Sequence, residues 1–163
     1  MINMRLDDGG ARVLLQGLAQ STKDLRPFFE DAHNIFIAME KEQFASEGAY
    51  SGERWEPLNP RYAEKKARDG YSGMQIMQRE RRLFESLTQK THAEHVYAFG
   101  SDWVEMGTRV LYARAQHFGY EPRNLPARSL IRITKAEGER LVDALLAHIL
   151  GSTRRSTARL VRR

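Results

Sequence analysis

The longest regular pattern of hydrophobic residues in this chain lies between residues 25 and 46. Its apolar members recur at steps of three and four residues, at Phe28, Phe29, Ala32, Ile35, Phe36, Met39 and Phe44. Charged residues fall largely between them, as in an amphipathic helix with one face on a core. Pro27 stands near the start, where a first turn tolerates proline. The pattern predicts a long helix from Leu25 to Ser46.

Three shorter helices are predicted before residue 90. The first runs from Ala11 to Thr22 and the second, which is strongly charged, from Arg61 to Asp69, where Gly70 follows. The third is predicted between Ile76 and Thr88 as a helix or as a turn followed by a helix. We interpret the basic residues of the second helix as a solvated face. The intervening residues 48–60 contain two glycines and two prolines without a period, which is typical of a loop.

From Thr91 the hydrophobic period changes to two. His95, Tyr97 and Phe99 fall on one side of a strand, and residues 100–102 supply a glycine-containing turn. Trp103, Val104 and Met106 then follow as a returning strand, so the pattern predicts a β-hairpin. The alternating residues 129–133 predict a further strand that pairs with this hairpin. Two strands alone are marginally stable, so a helix or another strand must cover one face.

The last predicted helix runs from Lys135 to Leu150. Thr134 precedes it as a cap, Glu137 completes a capping box, and Gly151 ends the helix. The predicted fold is therefore α+β, with long N-terminal helices and a C-terminal helix packed on a small antiparallel sheet. Residues 1–150 form one domain, and residues 151–163 form a basic, disordered tail.

Composition narrows the class of protein. The 163 residues are 41% hydrophobic and 29% charged, which is ordinary for a globular domain, and they include no cysteine, so disulfides and thiol chemistry are excluded. No apolar run approaches the roughly 20 residues of a membrane span, and acids stand where a signal peptide is basic and then apolar. We expect a soluble protein without membrane contact that is not exported by that route.

The net charge of +5 comes from one end of the chain. The last thirteen residues contain no acid and five arginines, namely Arg154, Arg155, Arg159, Arg162 and Arg163. Removing these five from the 26 basic residues leaves 21 basic against 21 acidic residues, so the body is neutral. The tail has three possible roles at this stage: salt-dependent binding to DNA phosphates, folding onto an acidic protein partner, or no role beyond solubility.

The histidines are the first candidates for catalysis or metal binding. His33 and His148 lie in predicted helices among apolar neighbours, where a satisfied structural histidine is usual. His92 and His95 point to opposite faces of a strand. His117 has no acid at a spacing that defines a general base or a metal pair. Since phosphate-loop, nucleophile-elbow and zinc spacings are also missing, we predict a protein that is not an enzyme and has no metal or cofactor.

The stretch from Gly107 to Arg128 is the most irregular and chemically mixed part of the chain. Residues 110–117 predict two helical turns that Gly119 stops, and residues 120–126 predict an irregular loop because two prolines restrict it. Neither the spacing of a core helix nor the alternation of a strand continues through it, which indicates a shaped surface and a candidate site of function. Trp55 in the earlier loop is either buried against the core or an interface anchor.

Several separated segments of the sequence together resemble one family. The most specific are Tyr112-Ala113, Gln116-His117-Phe118-Gly119 and Pro126-Ala127-Arg128, and IMQRERRLFESL and LLAHIL accompany them. In this order, over residues 14 to 150, the chain resembles the phage virion morphogenesis or tail completion proteins of Mu-like phages and prophages, of the head-tail joining type.

The resemblance implies a structural, non-catalytic protein of tail completion or head-tail joining that works as a ring, commonly a hexamer. It implies assembly in the host bacterial cytoplasm and a place in the virion, with tail tube, terminator or connector components as partners. The irregular stretch then becomes a subunit or partner contact. The candidate interface residues are Trp55, Tyr112, Arg114, His117, Phe118, Arg123 and Arg128.

Two other functions compete with this one. A nucleic-acid-binding accessory protein uses the arginine tail and the basic helices. A hydrolase centred on His117 is the third hypothesis, and it has no positive support in the sequence.

Overall fold

The computed structural model describes residues 9–160, with side chains described from Leu15 to Gly151. The helices and strands are α1 (Gly9–Ser21), α2 (Arg26–Ala45), α3 (Pro60–Lys66), α4 (Arg82–Thr88), β1 (His95–Phe99), β2 (Val104–Thr108), α5 (Ala113–Phe118) and α6 (Lys135–Leu160). Short helical turns occupy Ala49–Ser51, Ala67–Tyr71 and Glu121–Arg123. The predicted α+β class is confirmed.

The core is built on α2, which confirms the long helix predicted from the hydrophobic period. Phe44 is completely buried near its C-terminal end, and it meets the rings of Trp55 and Phe84 edge-on at centroid distances of 5.3 and 5.4 Å. Leu83 and Leu87 of α4 are also completely buried in this cluster. Helices α2 and α4 therefore form the apolar centre to which the other elements attach.

Both charged helical segments predicted before residue 90 are confirmed, with one difference at Lys66. Asn59 caps α3 by accepting a hydrogen bond from the Arg61 N–H, and Gly70 ends the following turn with φ 87°. The Lys66 side chain is buried and donates to two backbone carbonyls, of Met74 and Gln75, at 2.6 and 2.9 Å. The prediction of a solvated face is therefore wrong for Lys66. The segment 76–88 is a turn followed by a helix.

The β-hairpin is confirmed. Strands β1 and β2 are antiparallel, with His95 opposite Thr108 and Phe99 opposite Val104. The face that carries these residues lies on the helices: the Ser86 and Thr108 hydroxyl oxygens are 2.7 Å apart, and His95 Nδ1 lies 2.7 Å from the Ser86 carbonyl oxygen. The helices thus supply the cover that a two-stranded sheet needs.

The predicted third strand at residues 129–133 is wrong. The sheet in the described part of the chain has two strands. Side chains bind the backbone of this segment instead: Gln43 Nε2 and Trp55 Nε1 donate to the Ser129 carbonyl at 2.8 and 2.9 Å, and the Leu130 N–H donates to His117. The Ser129 carbonyl and the Leu130 N–H are thereby satisfied outside the sheet, and the chain bends at Leu130.

Helix α6 differs from its prediction at both ends. At its start, the Glu137 N–H donates to Thr134 Oγ1 at 3.4 Å, but the Glu137 carboxylate accepts from the Tyr50 hydroxyl, so only half of the capping box forms. At its end, the helix passes through Gly151 to Leu160. A glycine inside a helix costs only about 1 kcal/mol relative to alanine, so it does not by itself stop one.

The predicted contacts of the arginine tail lie outside the described side chains and residues. The division of the chain at residue 150 also stays a prediction. Across residues 9–160, no helix is both long and apolar enough to span a bilayer.

Candidate contact surface

The backbone of the loop after α5 takes a conformation that one glycine makes possible. Gly119 has φ 79°, and a Cβ atom at this position would lie 3.0 Å from both the Ala127 nitrogen and the Leu125 oxygen. Tyr120 and Leu125 then exchange two backbone hydrogen bonds of 2.8 and 3.1 Å across the turn. The loop is therefore irregular in sequence but well braced in structure.

Arg128 connects this loop to the earlier loop around Trp55. Its guanidinium is buried and donates to the carbonyls of Glu56 and Pro57 at 3.0 to 3.3 Å. Its own N–H donates to the Gln116 carbonyl at 2.8 Å. Burial lowers the pKa of Arg128. Sequence analysis proposed Arg128 as an interface residue, but its side chain is used inside its own chain.

Trp55 is likewise internal. The indole is 4% exposed, packs on Phe44, and donates from Nε1 to the Ser129 carbonyl. Of the two roles that sequence analysis left open for Trp55, burial against the core is the one observed. The interface role proposed for it has no exposed surface to support it.

His117 makes a structural hydrogen bond. Its Nδ1 accepts from the Leu130 N–H at 3.1 Å, so Nδ1 carries no proton, and burial lowers the pKa of the ring. Within residues 15–151, no acidic side chain hydrogen-bonds His117, and no group of three or more potential metal ligands occurs. The hydrogen bond therefore positions the segment after Arg128.

The remaining predicted interface residues lie at the surface. The Phe118 side chain is 72% exposed and Tyr112 is 44% exposed, and Arg114 and Arg123 are exposed as well. Sequence analysis missed three apolar neighbours that are also exposed, Leu111, Ile131 and Ile133. The alternation in residues 129–133 did place both isoleucines on one side, but it could not tell which side faces solvent.

A groove of about 470 Å³ joins the irregular stretch to the hairpin. Met106 of β2, Ala113 and Leu130 lie along it, and the exposed side chains of Phe118 and Ile131 border it. A second depression of about 340 Å³ contains Arg123. We define the contact surface as Tyr112, Arg114, Phe118, Arg123 and Ile131, and the first groove as the β2 groove.

A separate polar cluster joins α2 to the hairpin. His33 is 2% exposed, its Nε2 lies 2.7 Å from Nε2 of His95, and its ring stacks on Tyr97 at 3.8 Å. Since His95 Nδ1 faces a carbonyl, it carries the proton of that ring, and His33 Nε2 donates between the two rings. Burial and the neighbouring His95 lower the pKa of His33 to about 4. The cluster confirms the structural interpretation of His33 and adds a partner 62 residues away.

The protein has a helical α+β fold with a braced, partly apolar surface. A comparison with known families gives the class of protein. Residues 6–150 match the model of the phage virion morphogenesis family. Because the match covers most of the chain, the chain belongs to this family. Membership gives it a structural role in virion assembly, in association with other virion components. Searches of curated proteins and of solved structures each gave no significant match.

Proposed function

We propose that this chain is a non-catalytic structural protein of tail completion or head-tail joining, and that it acts as a ring-forming oligomer through the contact surface. The observation that carries the proposal is the 72% exposure of Phe118 at the C-terminal end of α5, next to a loop that the buried Arg128 holds to the body. A large aromatic side chain on a fixed backbone is available to a partner and is already positioned for it.

The energetics of binding favour such a surface. A flexible loop loses conformational entropy when it binds, and a braced loop has already lost most of it during folding. Aromatic and arginine side chains contribute most of the energy in many interfaces, and the contact surface contains both kinds. Phe118 and Ile131 supply apolar area, and Arg114 and Arg123 supply charge-assisted hydrogen bonds. The partners we propose are of two kinds. One is further copies of the chain, which together form a hexameric ring, and the other is tail tube, terminator or connector components.

The proposal is tested by placing an acid on the contact surface. We expect the wild-type chain to sediment as an oligomer in analytical ultracentrifugation and Phe118→Asp to sediment as a monomer, because a carboxylate cannot replace a buried ring. The unfolding temperature should stay unchanged, since the side chain is exposed in the protomer. Phage carrying the variant should assemble defective particles in a complementation assay.

Leu146→Asp is the matched control, because Leu146 is 48% exposed on α6, away from the contact surface. It should keep the wild-type sedimentation and complementation. A wild-type monomer at every concentration, or a Phe118→Asp variant that assembles normally, contradicts the proposal.

DNA binding by the arginine tail stays a prediction beside this proposal. It rests on five arginines following a neutral body. A filter-binding titration over salt concentration, with the full chain and with a chain ending at Leu150, measures it directly: the affinity should fall with salt only in the full chain.

A further inference from the structure

We infer that the second depression, which we call the Arg123 depression, binds a carboxylate on a short apolar stem, as in a glutamate side chain. Its occupant, an acidic side chain of a neighbouring protein chain, rests on the proposed function, whereas the site rests on features of one protomer. These features are a buried arginine with an unused donor, a second arginine without an ion pair, and an apolar lining free of acids.

A buried guanidinium that its own chain satisfies only in part lines the depression. Arg128 is 3% exposed, and its Nε and Nη2 donate to the carbonyls of Glu56 and Pro57. Its Nη1 makes no hydrogen bond within the described chain. Burial lowers the pKa of Arg128, and the nearby Glu56 carboxylate raises it by less. The positive charge therefore lacks a full counter-charge, and the two N–H groups of Nη1 are available to an acceptor.

Arg123 adds a second positive charge on a fixed backbone. Its side chain is exposed and makes no ion pair with a described acid. The Arg123 N–H donates to the Tyr120 carbonyl at 3.1 Å, and the Asn124 N–H donates to the Glu121 carbonyl at 2.8 Å. Asn124 takes φ 48°, which asparagine tolerates, and its amide also lines the depression. The backbone that presents both side chains is therefore fixed before a ligand binds.

The remaining lining suits an apolar stem next to the charge. Leu58, Met77, Leu125 and Pro126 line the depression, and no acid is among the described residues that do. An anion there meets two arginines and no like charge, while its methylene groups contact apolar side chains. The volume of about 340 Å³ lies near the lower end of the range for ligand pockets, roughly 300–1,000 Å³, so it suits one side chain better than a large cofactor.

A phosphate group fits this lining less well than a carboxylate. Phosphate has oxygens on all sides, and proteins often hold it with several converging backbone N–H groups. The N–H groups of Arg123, Asn124 and Leu125 already donate to carbonyls of their own turn. The donors that are left belong to a few side chains beside apolar groups, which favours a carboxylate.

The contact surface favours a neighbouring chain as the source of the carboxylate. Arg123 belongs both to the depression and to the contact surface, so a protein that covers this surface also covers the site. Pairing of a partly buried arginine with a carboxylate gives a charge-assisted hydrogen bond that fixes the position of the partner.

Butyrate is the probe for the site, because it reproduces a glutamate side chain as far as Cα. Saturation-transfer NMR observes the small molecule and measures its Kd whatever the size of the protein. The wild type and Phe118→Asp are both measured, so that a neighbouring subunit does not occupy the site in the expected monomer. We expect butyrate to bind about tenfold more tightly than butyramide, which has the same shape without the charge, and than inorganic phosphate.

Arg123→Gln, in the Phe118→Asp background, should weaken butyrate binding about tenfold and leave the unfolding temperature unchanged, because the side chain is exposed and unpaired. Arg109→Gln in the same background is the matched control, since Arg109 is also exposed and does not line the depression. It should keep the affinity for butyrate. Equal binding of butyrate and butyramide, tighter binding of phosphate, or an Arg123→Gln variant with unchanged affinity overturns the inference.

Sedimentation identifies the source of the carboxylate and separates the two proposals. An oligomer that dissociates in saturating butyrate, but not in butyramide, takes the carboxylate from a second copy, and one that persists takes it from another virion protein. If neither the wild type nor Phe118→Asp binds butyrate while the wild type is an oligomer, the site is overturned and the proposed function stands. A wild-type monomer that binds butyrate overturns the proposed function and keeps the site.

Discussion

Apolar side chains are buried in the α2–α4 core, whereas several of them are exposed in the stretch from residue 111 to 133. Phe44, Leu83 and Leu87 in the core are completely buried. Phe118 and Ile133 in the second region are 72% and 61% exposed, although the backbone that carries them is hydrogen-bonded at both ends of its loop. In the core, order comes from apolar packing. In the second region, Ala113 and Leu130 join that same core, polar bonds hold the loop between them, and Phe118 and Ile133 stay exposed.

The loop after α5 is held to the body by polar bonds as well as by this packing. Arg128 donates to the carbonyls of Glu56 and Pro57, and Trp55 donates to the carbonyl of Ser129. The two side chains thereby fix the loop to the body. These two residues stabilise the contact surface without belonging to it. A substitution at either one would change the surface indirectly, through its backbone.

Truncation of a core side chain should destabilise the fold far more than truncation of an exposed one. Leu83→Ala should lower the free energy of unfolding by about 2–5 kcal/mol, because it leaves a cavity at a completely buried site. Phe118→Ala should change it by less than about 0.5 kcal/mol, because the ring is mostly in solvent. Urea denaturation followed by circular dichroism measures both values. A loss of more than about 2 kcal/mol for Phe118→Ala would place that ring in the fold and not in an interface.

The polar pair of His33 and His95 tests whether apolar packing alone holds the helices to the hairpin. The pKa of His33 is lowered from 6.5 to about 4, so the folded chain keeps the ring neutral where the unfolded chain binds a proton. The contribution of the neutral His33 ring to the free energy of unfolding is complete above pH 6.5 and is lost as the pH falls towards 4. We expect it to amount to about 3 kcal/mol, since one pKa unit corresponds to about 1.4 kcal/mol.

His33→Gln should flatten the dependence of unfolding free energy on pH between 6.5 and 4, and His92→Gln, outside the pair, should leave it as in the wild type. Chemical denaturation at half-unit pH steps measures the two slopes. Equal slopes in the wild type and in His33→Gln would show that the pair does not couple folding to pH.

Substitution of Gly119 tests how the loop after α5 is braced. Gly119→Ala and Gly73→Ala both place a side chain at positive φ, 79° and 75°, but only at Gly119 does the new Cβ meet backbone atoms. Gly73→Ala should cost about 1 kcal/mol for the left-handed conformation alone. Gly119→Ala should cost more and should also weaken self-association. Equal losses in the two variants, with association unchanged, would show that the tight contact at Gly119 does not shape the surface.

Much of the fold was predictable because its signal is local. The period of three and four in α2, the change of period at the hairpin, and the glycine after α5 each depend on neighbours in sequence, and each prediction is confirmed. The errors share a physical cause. Residues 129–133 have the alternation of a strand, but the Ser129 carbonyl accepts a hydrogen bond from Gln43, 86 residues away. Lys66 has the sequence context of a solvated lysine, but its side chain is buried and donates to two backbone carbonyls of a later turn.

By itself, the sequence determined the helical elements, the hairpin, the neutral body with its basic end, and the family, because period, composition and motif are properties of the chain alone. Only the tertiary structure decided which residues of the contact surface face outward. Exposure depends on what the fold places over a side chain: Trp55 and Arg128 are covered by the body, whereas Phe118 and Ile131 are left at the edge of the β2 groove. No sequence pattern distinguishes these two outcomes, since an aromatic or arginine side chain suits either a buried bond or an interface.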